Sequence, residues 1–200
     1  MGVKDLYQAS LFTHPKLFIY TDPESMPIVA NWGLVPFWVK NNTGKLKIWN
    51  NTLNAMGESI FEKPSFRNAA KSKRCLIYLD GFYKHHHYNR QTYPFFIRRK
   101  DLEPFPVAAL WSEWQDKENR SKLITFSIVT TVGNKMLSRI HNNPKLDGPK
   151  MPVILPDELA DDWLNPGKSQ KELTDLLMPY PDELLQAHSV YHILGKLNIS

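Results

Sequence analysis

Three consecutive histidines follow a lysine in the middle of the chain, in the stretch LDGFYKHHHY (79–88). Imidazoles and amines bind metals and transfer protons, so this run is the first place to look for chemistry. On a strand, alternate side chains face opposite ways, so His85 and His87 share one face while Lys84 and His86 share the other. A metal needs three or four ligands, and no second ligand group with suitable spacing occurs. We therefore predict no metal site, and interpret His86 and His87 as solvated residues near a hairpin turn.

Nucleophilic catalysis has no conventional signature in this sequence. It contains neither a Gly-x-Ser-x-Gly elbow nor a glycine-rich phosphate or dinucleotide motif. Its one cysteine, Cys75, lies in the apolar run RCLIYL (74–79) and is interpreted as a buried strand residue. A single cysteine also excludes a disulfide framework.

Polar residues beside predicted turns form a second set of candidates. They are Asn54 and Glu58 in LNAMGES, Asp80 and Lys84 in DGFYK, Thr130 and Thr131 in VTT, and His141 in RIHN. Each one alone is most simply a helix cap or a hydrogen-bonded structural group. Their combination in one chain is what makes them candidates for a site.

The elements that must position these residues are mostly short strands. Residues 73–88 and 92–100 form two strand-like runs around the turn NRQ, which predicts a long hairpin. The pattern predicts short strands and turns at 16–22 and 27–39, and further strands at 104–114, 122–131 and 151–155. It predicts one or two short helical turns within 59–72 and helices at 133–142, 156–164 and 169–178. The sum is an α+β protein with a mostly antiparallel, barrel-like sheet and peripheral helices, in one domain over residues 1–200.

Length, charge and hydropathy limit the classes of function. A chain of 200 residues can bury one core, and a net charge of +5 permits nucleic-acid binding without requiring it. The first residues lack the apolar segment of a signal peptide, and no window approaches the roughly 18 apolar residues of a membrane span. We expect a cytoplasmic protein without a membrane partner.

Eight blocks of the sequence occur in the order found in the SRAP family, the SOS-response-associated peptidase-like proteins. The resemblance covers nearly the whole chain. The blocks are NWGLVPFWVK (31–40), LNAMGESIFEKPSFR (53–67), KRCLIYLDGFYK (73–84), YPFFIRR (93–99), ALWSEW (109–114), FSIVTTVGNKMLSRIHN (126–142), MPVILP (151–156) and AHSVYHILG (187–195).

This resemblance implies a barrel-like α+β fold with a basic channel for single-stranded or abasic DNA, and a role in the DNA damage (SOS) response in association with the nucleoid. No cofactor is implied, and we expect a monomer. In the family, a cysteine after the initiator methionine attacks the aldehyde of an abasic sugar with its α-amine, and its thiol closes a thiazolidine. An α-amine with a pKa near 8 is partly neutral at physiological pH, unlike an ordinary lysine.

The resemblance also implies roles for individual residues. Asn54 would orient the sugar and His141 would assist proton transfer during ring opening. Lys84 stands where the family has a catalytic glutamate, because DGFYEW reads DGFYKH here. The implied DNA contacts are stacking by Phe37 and Trp38, a backbone contact by Thr130, and phosphate contacts by Arg67 and Arg74.

The chain departs from the family pattern at several positions. Gly2 stands at the cysteine position, so we expect an N-terminally incomplete domain, with true loss of the nucleophile as the rival. Lys84 replaces the acid, His85 a tryptophan and Met56 an arginine. These losses leave open a catalytically degenerate DNA-binding module, and the family name leaves open a peptidase.

Overall fold

The computed structural model describes residues 13–143 and 148–190. The strands are β1 (Lys16–Ile19), β2 (Ile28–Trp32), β3 (Asn54–Met56), β4 (Arg74–Leu79), β5 (Phe82–Tyr88), β6 (Gln91–Arg99), β7 (Phe105–Gln115), β8 (Lys122–Val132), β9 (Lys150–Pro152) and β10 (Leu185–Ser189). The helices are α1 (Asn42–Trp49), α2 (Arg67–Ser72), α3 (Lys135–Ile140), α4 (Ala160–Leu164) and α5 (Gln170–Asp175).

Five strands form a nearly closed barrel in the order β1-β2-β8-β7-β4. The ring closes because Tyr20, just after β1, exchanges two backbone hydrogen bonds with Leu76 of β4, at 2.9 and 2.8 Å. Strand β8 is long enough to pair with β2 and β7 along its first part and with β3 and β9 at its end. Closure leaves few free edges, which protects such a sheet from pairing with other chains.

The central strands are buried on both faces, so their alternating side chains enter two different cores. On β7, Val107 and Ala109 belong to one apolar cluster, and Ala108 and Leu110 belong to the other. A strand covered on both sides is expected to be apolar without alternation, as PFPVAALW is. The two cores therefore lie on opposite faces of the same sheet.

A second, three-stranded sheet, β10-β6-β5, packs against the first core. Its hairpin turns at Asn89 and Arg90, whose φ angles of 48° and 63° are those of the tight turn that matches strand twist. Gly81 precedes β5 because a side chain there would lie 2.6 Å from the carbonyl oxygen of Ile97. The predicted hairpin is confirmed for β5 and β6, and its inner face carries Lys84. The first predicted run is not one strand, because its earlier part is β4, which pairs with β7 in the barrel.

The predicted fold class is confirmed, with two adjustments. The sheet is mostly antiparallel, but β2 and β3 run parallel to β8. Residues 27–39 form a short strand followed by turns, as predicted, but α1 was not predicted because it buries none of its residues and so shows no apolar stripe. Cys75 is fully buried, as predicted. No helix of the described ranges is long and apolar enough to cross a membrane.

Candidate functional site

The histidine run of β5 holds the end of α3 in place. The Nδ1 atom of His86 lies 3.1 Å from the carbonyl oxygen of Arg139. The amide of His87 donates to the side chain of Asn142 at 2.8 Å, and Asn142 donates back to the His87 carbonyl at 3.0 Å. The interpretation of His86 and His87 as solvated residues is therefore corrected, because both are half-buried and bonded to a segment more than 50 residues away.

This docking places His141 against β5. His141 caps the C-terminal end of α3, and its amide donates to the carbonyl of Leu137 at 2.7 Å. Burial, and then the charges of Lys84, His85 and His87, lower the pKa of His141 to about 4. Its Nδ1 atom is buried with no hydrogen-bond partner among the described residues. At neutral pH the ring is thus a neutral imidazole with an unused nitrogen.

Lys84 lies on the core-facing side of β5. It pairs across the hairpin with Phe95, and Phe82 two residues earlier packs, like Phe95, against the first core. Burial alone lowers the pKa of Lys84 to about 8, and no carboxylate of the described residues forms an ion pair with it. Roughly a tenth of the amine is neutral at pH 7. This pKa is well below the ordinary lysine value of 10.5.

Asn54 lies on a third element that borders the same core. It begins β3 opposite Ile128 and is exposed. The preceding residue, Leu53, accepts a hydrogen bond from the indole of Trp32 at 2.8 Å and packs in the first core with Ile140. Asn54 and His141 each follow directly on a residue of that core, Leu53 and Ile140.

An ion pair that sequence reasoning missed lies at the end of β3. The amine of Lys150, on β9, donates to the carboxylate of Glu58. Although burial opposes the shift, this hydrogen bond and charge hold the pKa of Glu58 below its usual value. The residues are 92 positions apart, so no local pattern indicates the pair.

Two exposed aromatic side chains follow β2. Phe37 is 60% exposed and Trp38 45%, unusual values for such large apolar groups. The indole of Trp38 donates to the carbonyl of Pro64 at 3.3 Å, which brings the loop beside α2. Arg67 is exposed at the start of α2, next to Asn68, which lines the same surface depression as both aromatics. The structure thus places Arg67 near the aromatic pair.

Arg74 has a structural role instead of the predicted phosphate contact. It is only 5% exposed, and its guanidinium donates to four backbone carbonyls, those of Trp163 (2.6 Å), Asn165 (2.7 Å), Lys71 (2.8 Å) and Ala70 (2.9 Å). These bonds join the ends of α2 and α4. The phosphate prediction for Arg74 is wrong, because its donors are already used inside the protein.

Thr130 is also largely buried, at 8% exposure, on β8 between β3 and β9. Its hydroxyl lies 3.5 Å from the carbonyl oxygen of Ala55, to which it donates. A contact between Thr130 and a DNA backbone stays a prediction. Over the described ranges, no group of three or more His, Cys, Asp or Glu side chains is placed to hold a metal ion.

Comparisons with known proteins agree with this architecture. The family model described as SOS response associated peptidase (SRAP) matches residues 11–197. The abasic site processing protein YoqW of Bacillus subtilis is 37% identical over 166 residues, 82% of this chain and 69% of that protein. The abasic site processing protein YMR114C of Saccharomyces cerevisiae is 29% identical over 201 residues, 96% of this chain and 51% of that protein.

Solved structures show the same fold. A protein of Bacteroides thetaiotaomicron superposes with a TM-score of 0.90 at 35% identity, over 95% of this chain and 80% of that one. A protein of Bordetella bronchiseptica superposes with a TM-score of 0.78 at 26% identity, over 88% and 84%.

The fold and the site define an α+β barrel protein that holds an amine and a neutral imidazole together at the border of its core. With a family match over almost its entire length, the chain belongs to the SRAP family.

Proposed function

We propose that this chain binds single-stranded DNA at abasic sites and processes the abasic sugar, in the response to DNA damage. The observation that carries the proposal is that Lys84, on the core-facing side of β5, lies close enough to His141 for its charge to lower the pKa of the imidazole. The family resemblance assigns acid-base chemistry to these two positions. Relatives in bacteria and yeast are named abasic site processing proteins, which supports the same substrate.

The proposed roles follow from the geometry of each group. Neutral His141 accepts or passes a proton at the sugar hydroxyl as the ring opens to the aldehyde. Asn54, exposed at the start of β3, orients the sugar through its amide. Proton transfer by an imidazole held in place contributes typically 10²- to 10⁴-fold to a rate. Loss of His141 is therefore expected to slow processing more than binding.

Binding is proposed to use the exposed surface beside β2. Phe37 and Trp38 stack on unpaired bases, and Arg67 contacts a phosphate from the start of α2. Thr130 contributes a contact to the DNA backbone from its small exposed part. Stacking on aromatic rings is tolerant of sequence, which suits a protein that must act wherever a base has been lost.

The thiazolidine crosslink is proposed only for a form of the protein that carries an N-terminal cysteine. Cys75 does not replace that group, because it is fully buried and burial raises the pKa of its thiol far above the usual value. The same burial gives no support to Cys75 as a peptidase nucleophile.

Binding by fluorescence anisotropy tests the proposal. The probes are a labelled single strand with one abasic site, the same strand intact, and its duplex. We expect the single strands to bind more tightly than the duplex, with an affinity that falls as salt rises. Asn54→Ala should slow processing of the abasic strand, whereas Asn51→Ala, an exposed amide that contacts the carbonyl of Lys47, should not. Equal affinity for all three probes would overturn the proposal.

A second candidate function is a binding module without chemistry. The observation that favours it is Lys84 itself, since an amine stands where the resemblance implies a carboxylate. Such a module would bind abasic single strands more tightly than duplex, as the first proposal also expects. It would leave the sugar intact after prolonged incubation. Electrophoresis of the recovered strand separates this outcome from processing.

A further inference from the structure

We propose that the ε-amine of Lys84 is itself a nucleophile that forms a Schiff base with the ring-opened aldehyde of the abasic sugar. The inference rests on the proposed function, which supplies the aldehyde. It assigns to Lys84 a covalent step that no ordinary surface lysine performs efficiently at neutral pH. The departure from the family pattern at this position then becomes a change of chemistry.

The placement of Lys84 provides the first support. Its side chain leaves β5 on the face that carries Phe82 and pairs with Phe95, two aromatic side chains packed against the core. The residue as a whole is half-buried, so part of its side chain lies at the protein surface. No carboxylate of the described residues holds the amine as an ion pair, in contrast to Lys150, which is bound to Glu58. An unpaired, desolvated amine is the usual form of a Schiff-base lysine.

The protonation state provides the second support. With a pKa of about 8, about one amine in ten is neutral at pH 7, against fewer than about one in a thousand for an ordinary lysine. Only the neutral amine has the lone pair that attacks a carbonyl carbon. His141 adds no positive charge beside the amine, because its imidazole is neutral in the same pH range.

The step balances without a cofactor. The nitrogen lone pair of Lys84 bonds to the aldehyde carbon, the carbonyl π bond breaks onto oxygen, and one proton moves from nitrogen to that oxygen to give a carbinolamine. The nitrogen then loses its second proton, the hydroxyl gains one, and water leaves as the carbon–nitrogen double bond forms. Nothing is oxidised or reduced. The unused Nδ1 atom of His141 is the acceptor available for the proton, since it is buried without a partner among the described residues.

The histidine run keeps these two groups together. His86 contacts Arg139, which precedes His141, and His87 contacts Asn142, which follows it. The segment that carries His141 is therefore attached to β5 at both ends. Because the backbone around both reacting groups is tied to the same strand, their separation depends on the hairpin and not on a flexible loop. The His86 side chain and the His87 backbone thus position His141 for the reaction.

Reductive trapping tests the inference on the full 200-residue chain. A labelled single strand with one abasic site is incubated with protein and cyanoborohydride, and the adduct is separated by denaturing electrophoresis and mapped by tryptic mass spectrometry. We expect the sugar on Lys84. Lys84→Arg and Lys84→Met should each lower trapping at least tenfold. Lys122→Arg, an exposed lysine paired with Glu113, should leave it unchanged.

Two further measurements separate this inference from the proposed function. The first is the affinity for a strand with a tetrahydrofuran site, which has no aldehyde. This affinity should be the same within twofold in Lys84→Arg and in the wild-type chain. If the wild-type chain does not bind this strand, the result counts against the proposed function. The small aldehyde 2-deoxyribose 5-phosphate needs no DNA binding, and with cyanoborohydride it should modify Lys84 before exposed lysines. Trapping on the N-terminal amine or another lysine, or no preference with the small aldehyde, would overturn the role of Lys84.

Discussion

The side chain of Asn142 satisfies both backbone polar groups of His87, accepting from its amide at 2.8 Å and donating to its carbonyl at 3.0 Å. The amide side chain thereby acts like one more residue of a paired strand along the edge of β5. The residue before it is His141, so this pairing fixes where the imidazole sits.

Substitution of Asn142 should release His141 toward solvent. Asn142→Ala removes both bonds to His87, so the burial that depresses the pKa of His141 is reduced. We expect that pKa to rise from about 4 toward its usual value of 6.5, as measured by a proton–carbon NMR titration of the imidazole. Asn119→Ala, in the β7–β8 turn, is the control. An unchanged His141 pKa in Asn142→Ala would contradict the docking argument.

The depressed pKa of His141 predicts acid destabilisation. Because the folded pKa is about 4 and the unfolded value 6.5, the unfolded state alone takes up this proton as pH falls between those values. The free energy of unfolding should therefore drop by roughly 1–3 kcal/mol from this group as pH falls from 6.5 to 4. In urea unfolding, the free energy of unfolding of His141→Gln should fall less than that of the wild type between pH 6.5 and 4. The difference between the two proteins should be the same at pH 7 and at pH 8. The charges acting on His141 are those of Lys84, His85 and His87, which remain in the variant.

The buried amine of Lys84 should cost stability while it is charged. Its pKa is about 8 when folded and 10.5 when unfolded, so the penalty is complete below pH 8 and disappears as pH rises through 10.5. Lys84→Met should raise the free energy of unfolding by roughly 1–3 kcal/mol at pH 7. This increase should become smaller as pH rises from 8 to 10.5. Lys122→Met, on the exposed Glu113 pair, should change it by less than about 0.5 kcal/mol. Equal effects of the two substitutions in urea titrations would argue against burial of the Lys84 charge.

Arg74 and Arg67 should separate stability from binding. Arg74→Met leaves four buried carbonyls without their donor, and we expect unfolding free energy to fall by about 3 kcal/mol with DNA affinity retained at low temperature. Arg67→Met should unfold normally, and it should reduce the slope of log affinity against log salt by about 0.7, the value for a single phosphate on a single strand. Calorimetry and anisotropy measure the two quantities. A loss of DNA affinity in Arg74→Met without a loss of stability would instead support a phosphate contact by Arg74.

Trp38 should contribute a stacking contact. Trp38→Ala is expected to weaken binding of a single strand by about 1–3 kcal/mol, and the protein should stay folded because the ring is 45% exposed. Phe18→Ala removes an aromatic ring that is 44% exposed on β1, outside the proposed surface, and serves as the matched control. A similar decrease in affinity in both variants would mean that exposed apolar area matters more than position.

The sequence was sufficient for features that depend on neighbouring residues. The hairpin follows from the two strand-like runs on either side of the turn, where Asn89 readily adopts a positive φ angle. The burial of Cys75 follows from its apolar run. The family blocks indicated the barrel as a whole, because their order along the chain is a property of the sequence. Helix α1 escaped prediction because it buries no residue and leaves no periodic signal.

Tertiary structure alone decided the chemistry of the charged residues. Arg74 reads like any basic residue, but its acceptors include carbonyls 89 and 91 positions away, so only the folded chain shows that its donors are used. Lys84 likewise has an ordinary sequence context, and its lowered pKa comes from burial on the side of β5 that packs against the core. A residue type sets the charge that a side chain is able to carry. The solvation and partners that determine whether it carries that charge come from segments distant in sequence, and folding brings them together.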